Sequence, residues 1–300
     1  MPASVAVPVL DQLAPHGFVY SGQYMVEFDA DSQWYETSLT IAALALKRGM
    51  KTEYHVFQHF PDESREAFSG MGLDVKKLEA EGLLSVWDSY TATTEFEAAK
   101  AADKGWSADR EKPLDVVAGA ASWIARTKAG FPEEEKRWLH LDDNTGIFLQ
   151  YNDEKTFIDR WRTGVLPAIR ARECPHFIAF PRGIASPAFY TMFEALCDGI
   201  IDLKSEEAAG GVERYLRIRT LRGKAFDSRW HRLQLQANGE ITLADATPPE
   251  PTRRLAAIMF TDTVDYTAAT QADEARTLQL LGSQQELLRP IFAAHTGAAK

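Results

Sequence analysis

The stretch "IMFTDTVDYT" (residues 258–267) joins an apolar run to a carboxylate, Asp262, and then to a polar turn. A carboxylate at the tip of a strand can hold divalent metal ions, and the backbone N–H groups of a turn that leads into a helix can contact phosphates. Helix-like sequence follows the turn, with Asp273 and Glu274 at its start. These residue types, in this order, suit metal-assisted chemistry at a phosphate group.

Residues 253–300 resemble the opening of the catalytic domain of class III adenylate and guanylate cyclases. The resemblance rests on the basic pair at 253–254, the strand at 255–260, the signature "FTDTVDYT", the acidic helix start and the closing "LLRPIFAAHTG". In that family two metal ions, Mg²⁺ or Mn²⁺, assist the attack of the ribose 3′-hydroxyl on the α-phosphate of ATP or GTP. The products are a cyclic nucleotide and pyrophosphate.

This resemblance assigns roles to six neighbouring residues. Asp262 is expected to be the catalytic, metal-binding carboxylate, and Thr263 to offer its backbone carbonyl as a further metal ligand. The contacts to the triphosphate are expected from the backbone N–H groups of Val264, Asp265, Tyr266 and Thr267. The family's commonest signature has Ile in place of Thr263 and often Gly in place of Asp265, so Asp265 adds negative charge beside the phosphates.

The other groups of a class III site lie farther along in the family than Lys300. They are a second metal-binding Asp, the base-selecting residues, and the Asn and Arg that stabilise the transition state. We therefore expect residues 253–300 to form a strand-plus-helix fragment of a ferredoxin-like cyclase domain, inactive by itself. Because class III sites form between two catalytic domains, the resemblance also implies a homodimer of the complete enzyme.

The sequence before this segment predicts an α/β domain. Strand-like "GFVYSG" (17–22), a helix in residues 34–50 and strand-like "KTEYHVFQHF" (51–60) make a β-α-β opening, which favours a parallel sheet covered by helices. Near residue 212 the pattern changes to alternating polar and apolar residues, with a hairpin turn predicted at Asn238-Gly239, so the sheet should end in antiparallel strands. Pro-rich residues 244–252 predict an extended linker.

The order of these segments resembles the KaiC-like branch of the RecA-type ATPases, and its degenerate sensory relatives, over residues 14–243. The resemblance rests on "GFVYSG", "ALKRG", "GLDVKKLEAEGLLSVWD", "CDGIIDL" and "LRIRTLRGKAFDSRWHRLQL". It implies a mostly parallel sheet flanked by helices, with Asp142 and Asp143 where such folds hold a Mg-binding carboxylate. It also matches Arg222 to a position that can reach a neighbouring subunit's nucleotide. For Asp142 and Asp143 we favour the alternative of a solvated turn at the end of a strand. For Arg222 we favour the alternative of a surface or interface arginine.

A phosphate-binding loop, G-x-x-x-x-G-K-[ST], is missing from the expected place. Counting from Gly22 puts Glu-Phe-Asp (27–29) at the Gly-Lys-Ser/Thr positions, whereas aligning the end of the helix puts Gln-Trp-Tyr (33–35) there. Neither alignment supplies a lysine to neutralise the phosphates, and both bring carboxylates close to them. Ordinary ATP hydrolysis is therefore not expected, and a nucleotide site at Asp142, Asp143 and Arg222 would be vestigial.

Composition excludes other classes of function. The net charge of −10 argues against nucleic acid as a partner, and the absence of a long apolar run and of a basic leader predicts no membrane span and a cytoplasmic location. The two cysteines, Cys174 and Cys197, are expected to be buried thiols. The histidines predict no metal site, because His55 and His59 lie four apart in a strand-like segment, and His140 and His176 are expected to be satisfied core or edge residues.

Together these patterns predict three regions: a degenerate RecA/KaiC-like sensory or assembly domain (1–243), a linker (244–252) and the start of a class III cyclase domain (253–300). The leading hypothesis is the N-terminal part of a signalling nucleotide cyclase with a regulatory domain that does not hydrolyse nucleotide. Two alternatives stay open. One is a non-catalytic ligand-binding or oligomerisation module, and the other is a KaiC-like ATPase with an altered phosphate loop.

Overall fold

The computed structural model describes residues 3–88, 90, 130–143, 154–208, 210–236 and 240–245, and the single residues Arg276, Gln279, Ser283 and Glu286. The chain divides into two compact units, residues 1–248 and 249–300. In the second unit the four described residues are helical and exposed. The predicted metal and triphosphate residues 262–267, the hairpin turn at 238–239 and most of the linker lie outside the described residues.

A nine-stranded sheet is the centre of the described part of the first unit. Its strand order is β11-β10-β9-β8-β3-β7-β6-β4-β5, in which β3 to β8 run parallel and β9, β10 and β11 are antiparallel additions at one edge. The strands are β3 (Gln23–Phe28), β4 (Thr52–Val56), β5 (Leu84–Asp88), β6 (Leu139–Asp142), β7 (His176–Pro181), β8 (Gly199–Ala208), β9 (Gly211–Leu221), β10 (His231–Leu235) and β11 (Ile241–Asp245). The predicted mostly parallel sheet with antiparallel strands at its end is confirmed.

Helices connect the parallel strands. They are α1 (Trp34–Lys47), α2 (Pro61–Gly70), α3 (Val75–Ala80), α4 (Glu154–Arg160), α5 (Leu166–Arg172) and α6 (Pro187–Glu194). A π-helical turn (Trp161–Val165) joins α4 to α5 without a break, and short 3-10 turns lie at Leu10–Gln12 and Glu133–Glu135. None of the helices in the described residues is long and apolar enough to cross a membrane.

The position of the first sheet strand differs from the prediction. Within "GFVYSG", only Phe18–Val19 form a strand, β2, and it pairs with β1 (Ser4–Val5) in a separate two-stranded sheet. The first strand of the main sheet is β3, which follows it and lies between β7 and β8. All six residues of β3, including the polar Gln23 and Glu27, are buried because the strand is central.

Alternation along the strands gives the sheet two different faces. On one face, Tyr24, Tyr54 and Phe177 belong to an apolar cluster that includes residues of α1 and α2. On the other, Met25 and Ile178 pack in a second apolar cluster with side chains from α4, the π-helical turn, α5 and α6, among them Phe157, Trp161, Ile169 and Phe193. The cysteines, Cys174 and Cys197, are buried free thiols, as predicted.

The second face also carries charge where β3, β8 and β9 lie side by side. Glu27 and Asp202 are direct neighbours on β3 and β8, and Arg219 of β9 bonds to Glu27 and, at 2.8 Å, to Glu194. Burial, followed by the hydrogen-bonding contact with Glu194, raises the pKa of Glu27 to about 7 despite the guanidinium of Arg219. The proton that Glu27 thereby retains lies against Glu194, at the end of α6, and not between the two strands.

The fold predicts that Glu27→Gln changes the pH dependence of stability. A carboxyl whose folded-state pKa is raised stabilises the fold below its unfolded pKa, and that contribution is lost as the pH rises through about 7. The amide does not ionise, so the unfolding free energy of the variant should improve relative to wild type by about 1 to 3 kcal/mol between acidic and mildly alkaline pH. Urea denaturation across that pH range measures it, with the exposed Glu207→Gln as the charge-matched control. A difference independent of pH would contradict the raised pKa.

Candidate functional site

The candidate site lies at the edge of the sheet where the parallel strands end. The carboxyl ends of β3, β4, β6 and β7 meet at this edge, which is where open α/β sheets usually bind ligands. Three features were expected here from the sequence: the connection from β3 to α1 and the pair Asp142 and Asp143. Around Asp142 the structure adds three histidines: His55 near the end of β4, His140 within β6 and His176 at the start of β7.

The connection from β3 to α1 comprises only residues 29–33 and is not built as a phosphate loop. Gln33 precedes the helix in the left-handed conformation (φ 60°, ψ 45°), so Gln-Trp-Tyr, and not Glu-Phe-Asp, stands at the start of the helix. The carboxylate of Asp29 accepts hydrogen bonds from Arg182 Nη1 at 2.8 Å and from the Ser205 N–H at 3.1 Å. Asp31 is bonded to the hydroxyl of Ser205. Both acidic groups are therefore engaged within the chain.

Trp34 ties the start of α1 to the end of β6. Its side chain is 3% exposed, and its indole Nε1–H donates to the carbonyl oxygen of Asp142 at 3.0 Å. The ring also lies beside Phe28, with the ring centroids 6.3 Å apart. A buried aromatic ring thus stands at the beginning of the helix, at the position that this alignment gives to the lysine of a phosphate loop.

Asp142 and Asp143 are both buried, at 2% exposure, so the favoured alternative of a solvated strand-end turn is wrong. Asp143 accepts hydrogen bonds from the N–H groups of Phe57 (2.8 Å) and Gln58 (3.4 Å) and from Nδ1 of His59 (3.0 Å). It therefore holds the segment after β4 against the end of β6. This is a structural role for a carboxylate, because its acceptor capacity is directed at the protein.

Asp142 points to the second face of the sheet, where three histidines surround it. Oδ1 lies 3.0 Å from His140 Nε2 and 3.6 Å from His55 Nδ1, and Oδ2 lies 3.6 Å from His176 Nε2. The ring centroids of His140 and His176 are 4.2 Å apart, and those of His55 and His140 are 5.6 Å apart. We call Asp142 and these three residues the histidine cluster.

An ion pair behind the histidine cluster fixes its central ring. Nη1 and Nη2 of Arg172, at the end of α5, donate to the two oxygens of Glu53 on β4 at 3.0 and 2.7 Å. The same carboxylate lies 3.0 Å from His140 Nδ1. Burial alone would raise the pKa of Glu53, but Arg172 and His140 outweigh it and hold that pKa well below its usual range.

The same contacts set the protonation of the imidazoles. Burial opposes charge on His140, but its hydrogen bonds to Asp142 and Glu53 outweigh that effect and raise its pKa to about 9. Burial lowers the pKa of His55 to about 3, and it also lowers the pKa of His176. At neutral pH the site thus holds one imidazolium between two carboxylates and two neutral imidazoles beside them.

Arg222 lies elsewhere. It follows β9 at the opposite edge of the sheet, where its N–H donates to the carbonyl of Asp198 at 2.7 Å and its guanidinium lies 3.3 Å from the carboxylate of the same residue. Its side chain is 63% exposed. Within one chain, Arg222 is therefore not close to Asp142 and Asp143. Its exposure fits the alternative of a surface or interface arginine.

Sequence reasoning missed Glu53, Arg172 and the link among the histidines. His140 and His176 are buried, as predicted, but they meet through Asp142 and are not separate core residues. A signal for this existed: Glu53-x-His55 and His140-x-Asp142 each place two polar residues two apart in a strand, hence on the same face. What the sequence did not show was that β4, β6 and β7 are neighbours.

The fold is similar to that of a solved KaiC-like protein from the hyperthermophilic archaeon Pyrococcus horikoshii, with a TM-score of 0.57 and 15% sequence identity. The match covers 81% of this chain and 98% of that one. Likeness at this identity concerns the fold, and it confirms the predicted RecA/KaiC-like architecture. No family model and no curated protein matches the chain, so the resemblance to class III cyclases stays a prediction.

The geometry predicts that Arg172→Met destabilises the protein strongly. Removing the guanidinium leaves the Glu53 carboxylate buried without its main partner, which costs about 3 to 5 kcal/mol of unfolding free energy in comparable sites. The double variant Arg172→Met/Glu53→Leu removes both charges and should recover part of that loss. Chemical denaturation monitored by circular dichroism measures both.

Arg162→Met is the matched control, because Arg162 pairs with Asp159 at 2.8 Å with both side chains more than half exposed. It should change stability by less than about 1 kcal/mol. If Arg172→Met were as mild as this control, the Arg172–Glu53 pair would not organise the site.

Proposed function

We propose that residues 1–243 form a RecA/KaiC-like regulatory module that does not hydrolyse nucleotide. The observation that carries the proposal lies where the connection from β3 enters α1. There the indole of Trp34 is buried and donates a hydrogen bond to the carbonyl oxygen of Asp142, at the end of β6. Such a module acts by binding or assembly and passes its state to the segment that follows it. Among the hypotheses drawn from the sequence, this is the non-catalytic ligand-binding or oligomerisation module.

Electrostatics supports the proposal. A triphosphate is strongly anionic and is bound by backbone N–H groups together with a lysine. At this edge the chain presents Asp29 and Asp31, and the nearby Arg182 is already paired with Asp29. Of the two candidates for holding Mg²⁺, Asp143 is bonded to the segment after β4 and Asp142 to His140. Among the described residues of this edge, the lysine of a phosphate loop is replaced by Trp34, and the carboxylates named here are engaged within the chain.

The proposal predicts no heat of ATP binding above background in calorimetry with Mg²⁺, and no phosphate release above that of a protein-free blank. A RecA-type ATPase with an intact phosphate loop, measured in the same buffer, is the positive control. Saturable ATP binding accompanied by turnover would overturn the proposal and restore the alternative of an ATPase with an altered loop. The His59→Gln variant should behave as wild type in both assays, since it retains Trp34 and the hydrogen bond of its indole to Asp142.

A second proposed function concerns residues 253–300. The signature "FTDTVDYT", with Asp262 after an apolar run, supports a contribution to a class III cyclase site that makes a cyclic nucleotide from ATP or GTP. In this proposal residues 1–243 regulate that output. Mg²⁺ or Mn²⁺ as cofactor, a homodimer through the cyclase domain and a cytoplasmic location are further parts of the proposal.

The cyclase proposal is tested with the full product of the gene, by measuring cyclic AMP and cyclic GMP formed with Mn²⁺. Asp262→Asn should remove the activity, because an amide is a poor ligand for two divalent cations. Asp265→Gly, which restores the family's frequent residue, should retain it and is the matched control. Failure to form either product, or activity that survives Asp262→Asn, would contradict the assignment.

A further inference from the structure

We propose that His55, His140 and Asp142 bind a divalent transition-metal ion of the zinc class, with His176 as a further nitrogen ligand. The proposal is independent of the function given above, because the site lies on the second face of the sheet and not at the connection from β3 to α1. It concerns the part of the histidine cluster that faces Asp142.

The spacing of the ligand atoms fits a metal ion. One potential ligand atom from each of His55, His140 and Asp142 lies within 4.8 Å of the other two. Zinc binds imidazole nitrogen and carboxylate oxygen at about 2.0 to 2.2 Å, so neighbouring ligands of a tetrahedral site are about 3.3 Å apart. The separations from Asp142 Oδ1 are 3.0 Å to His140 Nε2 and 3.6 Å to His55 Nδ1. Small movements of side chains would bring these atoms to a common ion.

The surroundings of His140 match those of a metal-binding histidine. Such a ligand commonly donates its other N–H to a carboxylate, which fixes the ring and the tautomer. Here Nδ1 lies 3.0 Å from Glu53, and Glu53 is itself fixed by two hydrogen bonds from Arg172. Nε2 is thereby directed at Asp142. An ion held by both groups would replace the direct 3.0 Å contact between His140 Nε2 and Asp142 Oδ1.

His176 supplies a second observation. Its Nε2 is buried and, within the described part of the chain, has no hydrogen-bond partner, although it lies 3.6 Å from Asp142 Oδ2. Its ring stacks with Trp161, with the ring centroids 5.7 Å apart, and so is held in place. A buried polar atom without a partner is costly. A metal ion bound at Asp142 would give His176 Nε2 a partner, because this nitrogen could coordinate the ion.

The neighbouring candidate group of Glu53, His140 and Cys174 fits less well. Both oxygens of Glu53 are bonded to the guanidinium of Arg172, whose positive charge repels a cation. The thiol of Cys174 donates to the carbonyl of Trp138, and burial raises its pKa, whereas a metal needs the thiolate. The set of two or three imidazoles with one carboxylate suits Zn²⁺, Co²⁺ or Ni²⁺, and not Mg²⁺, which prefers oxygen ligands.

Among the residues of the histidine cluster, His55 has the most exposed side chain. The side chain of His55 is 16% exposed, whereas those of Asp142 and His176 are 2% and 7% exposed. Trp87, with its ring centroid 5.7 Å from that of His55, lies beside it.

The test uses the chain purified without a polyhistidine tag, stripped with a chelator and titrated with Zn²⁺ and with Co²⁺. We expect one ion per chain, and visible ligand-field bands of tetrahedral cobalt that Zn²⁺ abolishes. His55→Gln and His140→Gln should each weaken binding more than about tenfold, and Glu53→Gln, as a positioning residue, by about 10- to 100-fold. Circular dichroism of each metal-free variant establishes that it folds.

Two matched controls locate the ion. His231→Gln changes another buried histidine, outside the cluster, and Asp262→Asn changes the carboxylate proposed for the cyclase metals; both should bind Zn²⁺ as wild type does. If His140→Gln did not fold, the more exposed His55→Gln would decide. Absence of cobalt bands in the wild type, or Zn²⁺ affinity unchanged in His55→Gln, would overturn the proposal. Neither result would bear on nucleotide binding at the connection from β3 to α1.

Discussion

The buried ion pair between Arg172 and Glu53 is the interaction on which the polar part of this fold depends. Parallel strands covered on both faces are normally apolar, yet β4, β6 and β7 place charged and aromatic polar side chains under α5 and the π-helical turn. Each such group needs a partner, since water is excluded. Arg172 holds Glu53, and Glu53 in turn orients His140 toward Asp142. These four buried groups are stable only together, because each one is the hydrogen-bond partner of the next.

The carboxyl ends of β3 and β6 make contacts that bear on the proposed function. The same strand end supplies a carbonyl to Trp34 and a carboxylate to the histidine cluster, so the edge that serves nucleotide binding in RecA-type folds is used here for contacts within the chain. Residues of opposite charge are close together, with Asp29 bonded to Arg182 and Asp143 to His59. These contacts within the chain are the basis of the proposed module that does not hydrolyse nucleotide.

Much of the fold could be predicted from the sequence, because helix periodicity and strand alternation are local properties. The helix ending before Gly49, the strand within residues 51–60 and the antiparallel strands after residue 211 followed from such patterns. β3 was missed because its polar residues, Gln23 and Glu27, are buried beside neighbours that are distant in sequence. The absence of a G-x-x-x-x-G-K-[ST] motif is read from residue identity alone and does not depend on the fold.

The candidate site was less predictable for the same reason. Asp142 and Asp143 were found at a strand end, but their burial depends on β4 and on the residues that follow it. The histidines come from three strands separated by up to 120 residues, and only the order of strands in the sheet makes them neighbours. No pattern in one segment records that order. The nearest signal in the sequence is that Glu53-x-His55 and His140-x-Asp142 each place two polar residues on one face of a strand.

The π-helical turn at Trp161–Val165 has a consequence for how this chain can vary. A π turn contains one residue more than an α-helical turn, so it sets the rotation of α5 about its axis relative to α4. Each residue of an α-helix advances the rotation by about 100°. Loss of a single residue here would regularise the helix and swing Arg172 away from Glu53. Insertions and deletions in this helical segment are therefore restricted by a contact on the far side of the next helix, and the length of the segment is as much a part of the site as the side chains are.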